Sequence, residues 1–148
     1  APFRQATVRL LPKIVHLGIG CKRNTHLERI EELVLPELER LDLDMRSIAG
    51  LASVDLKKDE QGLLAFAQKY KIPAHFYSAE ELNALEGDFT PSSFVQSVVG
   101  VSNVCERSAV KDAAGGRLAL RKTSRNGVTL AIAVEELVLD LQHTGLKK

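Results

Sequence analysis

Short apolar runs rich in β-branched residues alternate with segments of helical periodicity through the first half of the chain. Such runs occupy residues 14–19, 48–54 and 74–77, and their length and composition indicate buried strands. Between them, apolar residues recur at three- and four-residue spacing over 25–41 and 60–70, which is typical of amphipathic helices. Strands that are connected through helices usually pair in parallel. The alternation therefore predicts a parallel sheet covered by helices.

The last third of the chain has a different pattern, which predicts an antiparallel pair of strands. Residues 117–121 and 128–134 are expected to be strands, and Asn126-Gly127 between them is the strongest hairpin-turn signal in the sequence. We therefore predict an α/β fold, a three-layer α/β/α sandwich with a mixed, mostly parallel sheet of about five strands and a C-terminal antiparallel hairpin. Neither a repeat nor a linker divides the chain. A single domain is expected over residues 1–148, with 1–12 as a loosely ordered N-terminal arm.

Capping residues and prolines predict where the helices begin and end. Thr25 and Ser78 each precede a glutamate by three residues, and this capping-box pattern predicts a helix start at both positions. Pro36 lies inside the first helical pattern and is expected to kink or split that helix. Two more helices are expected, one that starts at Thr90-Pro91 and one over residues 100–114.

Composition argues against several classes of protein. Of the 148 residues, 45% are hydrophobic and 26% are charged, which is ordinary for a folded domain and excludes a disordered chain. The net charge of +1 and the sparse aromatic residues argue against nucleic acid as a partner. No apolar run reaches the roughly 18–20 residues that span a bilayer, so no membrane association is expected. Two cysteines are too few for a disulfide scaffold and predict a reducing, cytoplasmic location.

The loop that follows the first strand is expected to carry a binding site. Glycine lets the backbone approach a ligand closely, and the free N–H groups and dipole of the next helix favour a negative charge. Lys22 and Arg23 add two positive charges. A tight turn whose basic side chains merely face solvent is the alternative. The residues of this loop predicted to bind a ligand are Gly18, Gly20, Cys21, Lys22, Arg23, Asn24 and Thr25.

Several cofactor motifs are absent from the sequence. Asn24 stands where a dinucleotide-binding fingerprint has its third glycine, and no acidic residue closes the second strand at the required distance. The Gly-Lys-Ser/Thr ending of a P-loop is also missing. No Cys/His pair has the spacing of metal ligands. Neither a cofactor nor a metal is therefore expected.

A charged segment follows the second predicted strand and is expected at the same sheet edge as the loop. Asp55, Lys57 and Glu60 are the candidate catalytic residues, because they could act as acid and base or bind polar groups of a substrate. A charged helix N-terminus is the alternative. Cys21, beside two bases, is expected to have a lowered pKa if it is exposed; the alternative is that it is only a small side chain in a turn. Glu106 is interpreted as a surface charge.

Six segments of the sequence, taken in order, resemble one family. They are GIGCKRNT at 18–25, SVDLKKDE at 53–60, FYSAEEL at 76–82, TPSSFV at 90–95, GVSNVCE at 100–106, and Lys122 followed by GVTLAIA at 127–133. Over residues 13–134 the chain resembles the CobE family, which is equivalent to the C-terminal domain of CbiG from cobalamin biosynthesis.

This resemblance implies work on a precorrin or corrinoid intermediate. In two-domain relatives it implies a hydrolysis that opens a lactone and releases acetaldehyde, and here such a reaction is expected to need a partner domain. Precorrins carry carboxylates around a flat apolar ring, which suits basic side chains. Lys57 and Lys122 therefore join the predicted ligand-binding residues. The intermediate is expected between the loop, the 55–60 segment and the last hairpin.

Two other functions stay open at this point. The chain could be a non-catalytic interaction module that docks onto another cobalamin-pathway enzyme, in which case a stoichiometric protein partner and no tetrapyrrole is expected. It could also be an unrelated nucleotide- or phosphate-binding enzyme, for which a thermal shift with nucleotides but not with corrinoids is expected.

Overall fold

The order of helices and strands follows the predicted alternation. The structure, a computed structural model, describes residues 12–89 and 104–136. Short 3-10 turns flank the second strand at Met45–Ser47 and Asp55–Lys57. The main elements are β1 (Val15–Cys21), α1 (Leu27–Arg40), β2 (Ile48–Val54), α2 (Gln61–Tyr70), β3 (Ala74–Tyr77), α3 (Ala79–Asn83), α4 (Val104–Asp112), β4 (Arg117–Arg125) and β5 (Val128–Val134).

The strands form one mixed, five-stranded sheet in the order β3-β2-β1-β5-β4. The strands β1, β2 and β3 pair in parallel, whereas β5 runs antiparallel to both β1 and β4. Asn126 and Gly127 have positive φ angles of 52° and 84°, as a tight hairpin turn of the primed type requires. The mixed sheet and the C-terminal hairpin confirm the predicted α/β class.

Alternate residues of the central strands face two separate cores. Val15, Leu17 and Ile19 of β1 pack with apolar residues of α1, α2 and β5 in the larger core. On the opposite face, Ala109 of α4 packs in a smaller cluster with Ala131 of β5. Side chains of a strand point alternately to the two faces of its sheet, so helices cover both faces. This arrangement confirms the three-layer sandwich.

The backbone of α4 lies directly against β1 at Gly18. An ideal Cβ on Gly18 would overlap the carbonyl oxygen of Cys105 and would lie 2.8 Å from the main-chain nitrogen of Ala109. Only glycine allows the helix to approach the strand this closely. Gly18 is buried within β1, so the prediction that it belongs to the loop is wrong.

The structure also corrects three predicted boundaries. Gly20 does not end β1, because β5 pairs with β1 as far as Cys21. No capping box forms at Thr25: α1 starts after His26, and the Thr25 hydroxyl donates to the Lys22 carbonyl oxygen at 2.6 Å. The helix α1 continues through Pro36, so of the two outcomes predicted there, a kink or a split, the split is wrong.

The capping box at the start of α3 is confirmed. The Ser78 hydroxyl accepts from the N–H of Glu81, and the Glu81 carboxylate accepts from the N–H of Ser78. The predicted helix start at Thr90-Pro91, residues 100–103 of the last predicted helix, and the N-terminal arm before Pro12 lie outside the described residues. No helix among the described residues is long and apolar enough to cross a membrane.

We predict that Gly18→Ala lowers the free energy of unfolding by about 3 kcal/mol, because the added methyl group must push α4 away from β1. Urea denaturation followed by circular dichroism measures this change. Gly115→Ala is the matched control: Gly115 has φ 89° but no atom within 4 Å of an ideal Cβ, so its cost is conformational and about 1 kcal/mol. Equal losses for the two variants would contradict the close contact.

Candidate functional site

The carboxyl ends of β1 and β2 bring the predicted loop and the charged segment together. The main-chain N–H of Asn24 donates to the Glu60 carboxylate at 2.7 Å. The N–H of Lys22 donates to the carbonyl oxygen of Gly127 at 3.1 Å, so the hairpin turn also joins this cluster. We define the edge site as residues 21–25, 55–60 and 126–127.

The start of α2 holds the loop in place. Asn24 has a φ of 65°, a left-handed conformation that asparagine tolerates better than most residues. An ideal Cβ on Gly62 would overlap the carbonyl oxygen of Thr25, so glycine is needed where α2 meets the loop backbone. Glu60 directly precedes α2 and binds the N–H of Asn24. The first turn of α2 therefore fixes the loop geometry.

The edge site presents positive charges to solvent together with a small apolar surface. Lys22 and Arg23 are exposed, and Lys57 is half-buried. Leu56, between two charged residues of the same segment, is 66% exposed. Asp55 is exposed, and its carboxylate makes no hydrogen bond to any described residue. Neither Lys22 nor Arg23 forms an ion pair with a described residue, so an anionic group can bind them without first breaking a strong ion pair.

Cys21 is half-buried, so the exposure on which a lowered pKa was predicted to depend is not met, and its pKa is raised instead. Burial raises the pKa of its thiol, the charge of Lys57 opposes this only in part, and the Glu60 carboxylate raises the pKa further. Burial also raises the pKa of Cys105 to about 12. Both thiols are therefore protonated at neutral pH, and neither has the properties of a nucleophile.

Glu106 is a buried residue of α4, and its interpretation as a surface charge is wrong. Its side chain has an exposed fraction of 0% and accepts a hydrogen bond from the main-chain N–H of Lys122 at 2.7 Å. Its other carboxylate oxygen lies 3.9 Å from the guanidinium of Arg121. The small residues around it in α4, such as Ser108 and Ala109, are the sequence signal that this helix is closely packed.

A second polar cluster, which the sequence did not reveal, lies under α4. Nδ1 of His16 is hydrogen-bonded to the Asp112 carboxylate and Nε2 to the Glu135 carboxylate, and each bond is 2.7 Å long. The other oxygen of Asp112 accepts from Nδ1 of His75 and from the Tyr77 hydroxyl, both at 2.6 Å. A histidine inside a buried strand was the available signal, since such a residue needs polar partners. We call these five residues the His16 cluster.

The surroundings of His16 favour its positively charged form. Burial alone would lower its pKa, but the hydrogen bonds to Asp112 and Glu135 outweigh burial and raise it. Burial alone would raise the pKa of Asp112, but hydrogen bonds from His16 and Tyr77 and the charge of His75 lower it. Both ring nitrogens lie against carboxylates, and the protonated imidazole, which has two N–H donors, suits this geometry better than the neutral form, which has one. In the described part of the chain, no group of at least three His, Cys, Asp or Glu side chains is arranged to hold a metal ion.

We predict that His16→Gln lowers the free energy of unfolding by about 3 kcal/mol at pH 6, because it leaves Asp112 buried without its charge partner. Asp112 contributes to the free energy of unfolding above its unfolded pKa of about 4. The contribution of His16 is complete below its unfolded pKa of about 6.5, and it is lost as the pH rises through the raised pKa of His16 in the folded protein. The difference between wild type and variant should therefore shrink toward pH 9. Urea unfolding at several pH values measures it.

His26→Gln is the control for this prediction, since His26 is exposed and its side chain caps no helix. It should change stability by less than about 0.5 kcal/mol at every pH. A pH-independent difference between wild type and His16→Gln would contradict the charged state assigned to His16.

Comparison with known proteins agrees with the resemblance seen in the sequence. The family model described as cobalamin synthesis G C-terminus matches residues 15–133. The chain is 35% identical to a cobalt-precorrin-5A hydrolase from Priestia megaterium over 83% of its own length and 33% of that protein. It is 33% identical to the CobE protein of a Sinorhizobium species over 64% of the chain and 62% of that protein.

The fold matches as well. A crystal structure of CobE, a protein from the cobalamin biosynthetic pathway, superposes with a TM-score of 0.76 and 29% identity, covering 88% of this chain and 97% of CobE. The chain spans about a third of the length of the hydrolase from Priestia megaterium and 36% of a second one, from Salmonella typhimurium. The resemblance to the CobE family is confirmed: the chain belongs to the cobalamin synthesis G C-terminus family and is a cobalamin biosynthesis protein related to the cobalt-precorrin-5A hydrolases.

Proposed function

We propose that the chain binds a precorrin or corrinoid intermediate at the edge site, through carboxylates on the rim of the tetrapyrrole. The observation that carries this proposal is that the exposed bases Lys22 and Arg23 lie at one sheet edge with the exposed apolar side chain of Leu56. The 2.7 Å hydrogen bond from the Asn24 N–H to the Glu60 carboxylate holds the loop that presents these two bases, and charge-assisted hydrogen bonds from such bases are strong ligand contacts for carboxylates. The names of the relatives, which refer to cobalt-precorrin-5A and to the cobalamin pathway, support a tetrapyrrole as the ligand class.

The side chains of the edge site suit such a ligand in charge and polarity. Lys22 and Arg23 are exposed beside the Asn24 donor, and an arginine fork can bind a carboxylate through two parallel hydrogen bonds. Lys57 adds a third positive charge near Cys21. The exposed Leu56 offers apolar contact to the macrocycle, and ligand sites commonly combine apolar surface with a few polar anchors.

Cleavage of a bond in the intermediate is proposed to need more than this chain. The chain spans 33% of the Priestia hydrolase, and Glu60, one of the three candidate catalytic residues, is engaged by Asn24. We therefore assign Glu60 to positioning of the loop, and Asp55 and Lys57 stay candidates for contact with the substrate or with water. Opening of a precorrin lactone with loss of acetaldehyde then requires a partner domain.

An interaction module is a second candidate function, because the chain matches only about a third of its hydrolase relatives. Such a module would dock onto another cobalamin-pathway enzyme. Affinity purification from cobalamin-producing cells distinguishes the two functions. A tetrapyrrole absorption spectrum in the purified sample supports the binding function, whereas a stoichiometric protein partner without a pigment supports the module.

We predict that cobyrinic acid, a corrinoid whose side chains end in carboxylates, binds the wild-type chain with micromolar affinity. Lys22→Ala combined with Arg23→Ala should weaken this binding about tenfold, because two charge-assisted contacts are lost. Titration followed by the absorbance of the corrin ring measures the affinity. Cobinamide, which has the same ring with amidated side chains, should bind weakly to both proteins.

The matched protein control is Arg40→Ala combined with Lys71→Ala. These two bases are also exposed but lie at the C-terminal ends of α1 and α2, away from the edge site. This control should keep the wild-type affinity for cobyrinic acid. Equal affinities of the two double variants, or equal binding of cobyrinic acid and cobinamide by wild type, would overturn carboxylate recognition at the edge site.

A further inference from the structure

The strand β4 contains a bulge at Arg121 and Lys122. The pairing with β5 passes from Leu120 opposite Ile132 to Thr123 opposite Leu130. Two residues of β4 therefore face the single residue between these partners on β5. A bulge of this kind bends the strand and changes the direction of its side chains, and bulges are frequent next to functional sites.

Glu106, a residue of α4, accepts a hydrogen bond from the main chain of this bulge. The N–H of Lys122 donates to its carboxylate at 2.7 Å, and the Arg121 guanidinium lies 3.9 Å from its other oxygen. A buried carboxylate is costly unless it is hydrogen-bonded and faces positive charge. The carboxylate thus connects α4 to the bulge.

The bulge lies near the edge site but on the α4 face of the sheet. Thr129 of β5 pairs with Gly20 at the end of β1, and Ser124, two residues after Lys122, pairs with Thr129. Arg121 and Lys122 are therefore within a few residues of the sheet edge that carries the loop. Arg121 is exposed. Its guanidinium donates to the carbonyl oxygen of Asp88 at 2.8 Å and lies 3.6 Å from the exposed Asp88 carboxylate, a surface contact that a ligand carboxylate can replace.

We propose that Glu106 is a positioning residue that holds the bulge so that Arg121 and Lys122 bind carboxylates of the tetrapyrrole on the α4 face of the edge. This inference rests on the proposed function. Carboxylates surround the ring of such a ligand on every side, so cations on both faces of the sheet edge can contact one molecule at once. Lys22 and Arg23 supply the first group of contacts, and Arg121 and Lys122 supply the second.

Three variants test the role of Glu106 with cobyrinic acid and cobinamide as probes. Glu106→Gln keeps a carbonyl acceptor for the Lys122 N–H and should bind cobyrinic acid within about threefold of wild type. Glu106→Leu removes the acceptor and should lose about tenfold. Arg121→Ala combined with Lys122→Ala should also lose about tenfold in affinity for cobyrinic acid, although the Glu106 carboxylate that accepts from the main chain of the bulge is still present. In each case the weak affinity for cobinamide should not change, because general misfolding would lower binding of both probes.

Arg117→Ala is the matched control, since Arg117 is an exposed arginine of β4 that pairs with Val134 at the end of the strand away from the edge site, and it should bind like wild type. The inference would be overturned if Glu106→Leu, or Arg121→Ala combined with Lys122→Ala, preferred cobyrinic acid over cobinamide as strongly as wild type does. In that case a loss of affinity in Lys22→Ala combined with Arg23→Ala would still support the proposed function. An equal loss in Glu106→Gln and Glu106→Leu would overturn the positioning role. Absence of cobyrinic acid binding by wild type would overturn both proposals.

Discussion

The contact between the backbone of α4 and β1 at Gly18 determines where the polar groups of this protein lie. With a side chain at this position the helix could not reach the sheet. Because α4 lies so close, it brings Glu106 to the bulge of β4 and Asp112 to His16. One glycine in the middle of a strand thus sets the geometry of two polar clusters along one helix.

The two clusters use carboxylates in different ways. In the His16 cluster, side chains from two strands make three hydrogen bonds to Asp112, so the carboxylate is satisfied inside the protein. Such an arrangement fixes the packing of β1 and β3 against α4 and stabilises the fold within a limited pH range. At the edge site, positive charge exceeds what the neighbouring carboxylates compensate. This excess is what an anionic ligand would bind.

Much of the fold could be predicted because it depends on local patterns. The strand β2 was predicted with its observed bounds, since a short apolar run between polar segments has few other interpretations. The Ser78 capping box and the Asn126-Gly127 turn were also predicted, because their partners are two or three residues apart. Gly20 was misinterpreted as the end of β1, because pairing with β5, more than a hundred residues later, extends the strand.

The parts of the site that the sequence did not predict depend on distant partners. The carboxylate of Glu106 is held by Lys122, 16 residues away, and His16 is held by Asp112, 96 residues away. Rules based on short spacings along the sequence cannot predict pairs that lie so far apart in the chain. At Thr25 the error was of another kind. The sequence has the pattern of a capping box there, but the Thr25 hydroxyl donates to the carbonyl oxygen of Lys22 instead of capping the helix. The convergence of the loop, the 55–60 segment and the hairpin was predicted, because the ends of adjacent strands meet at one edge.

The most direct test of the central claim is an NMR titration of the isotope-labelled chain with cobyrinic acid. Carboxylate binding at the edge site predicts that the main-chain amide signals of Lys22, Arg23 and Asn24 shift progressively as the ligand is added. Signals from the His16 cluster, including the amide of His75, should stay in place. Shifts confined to the His16 cluster, or equal shifts on addition of cobinamide, would contradict the account.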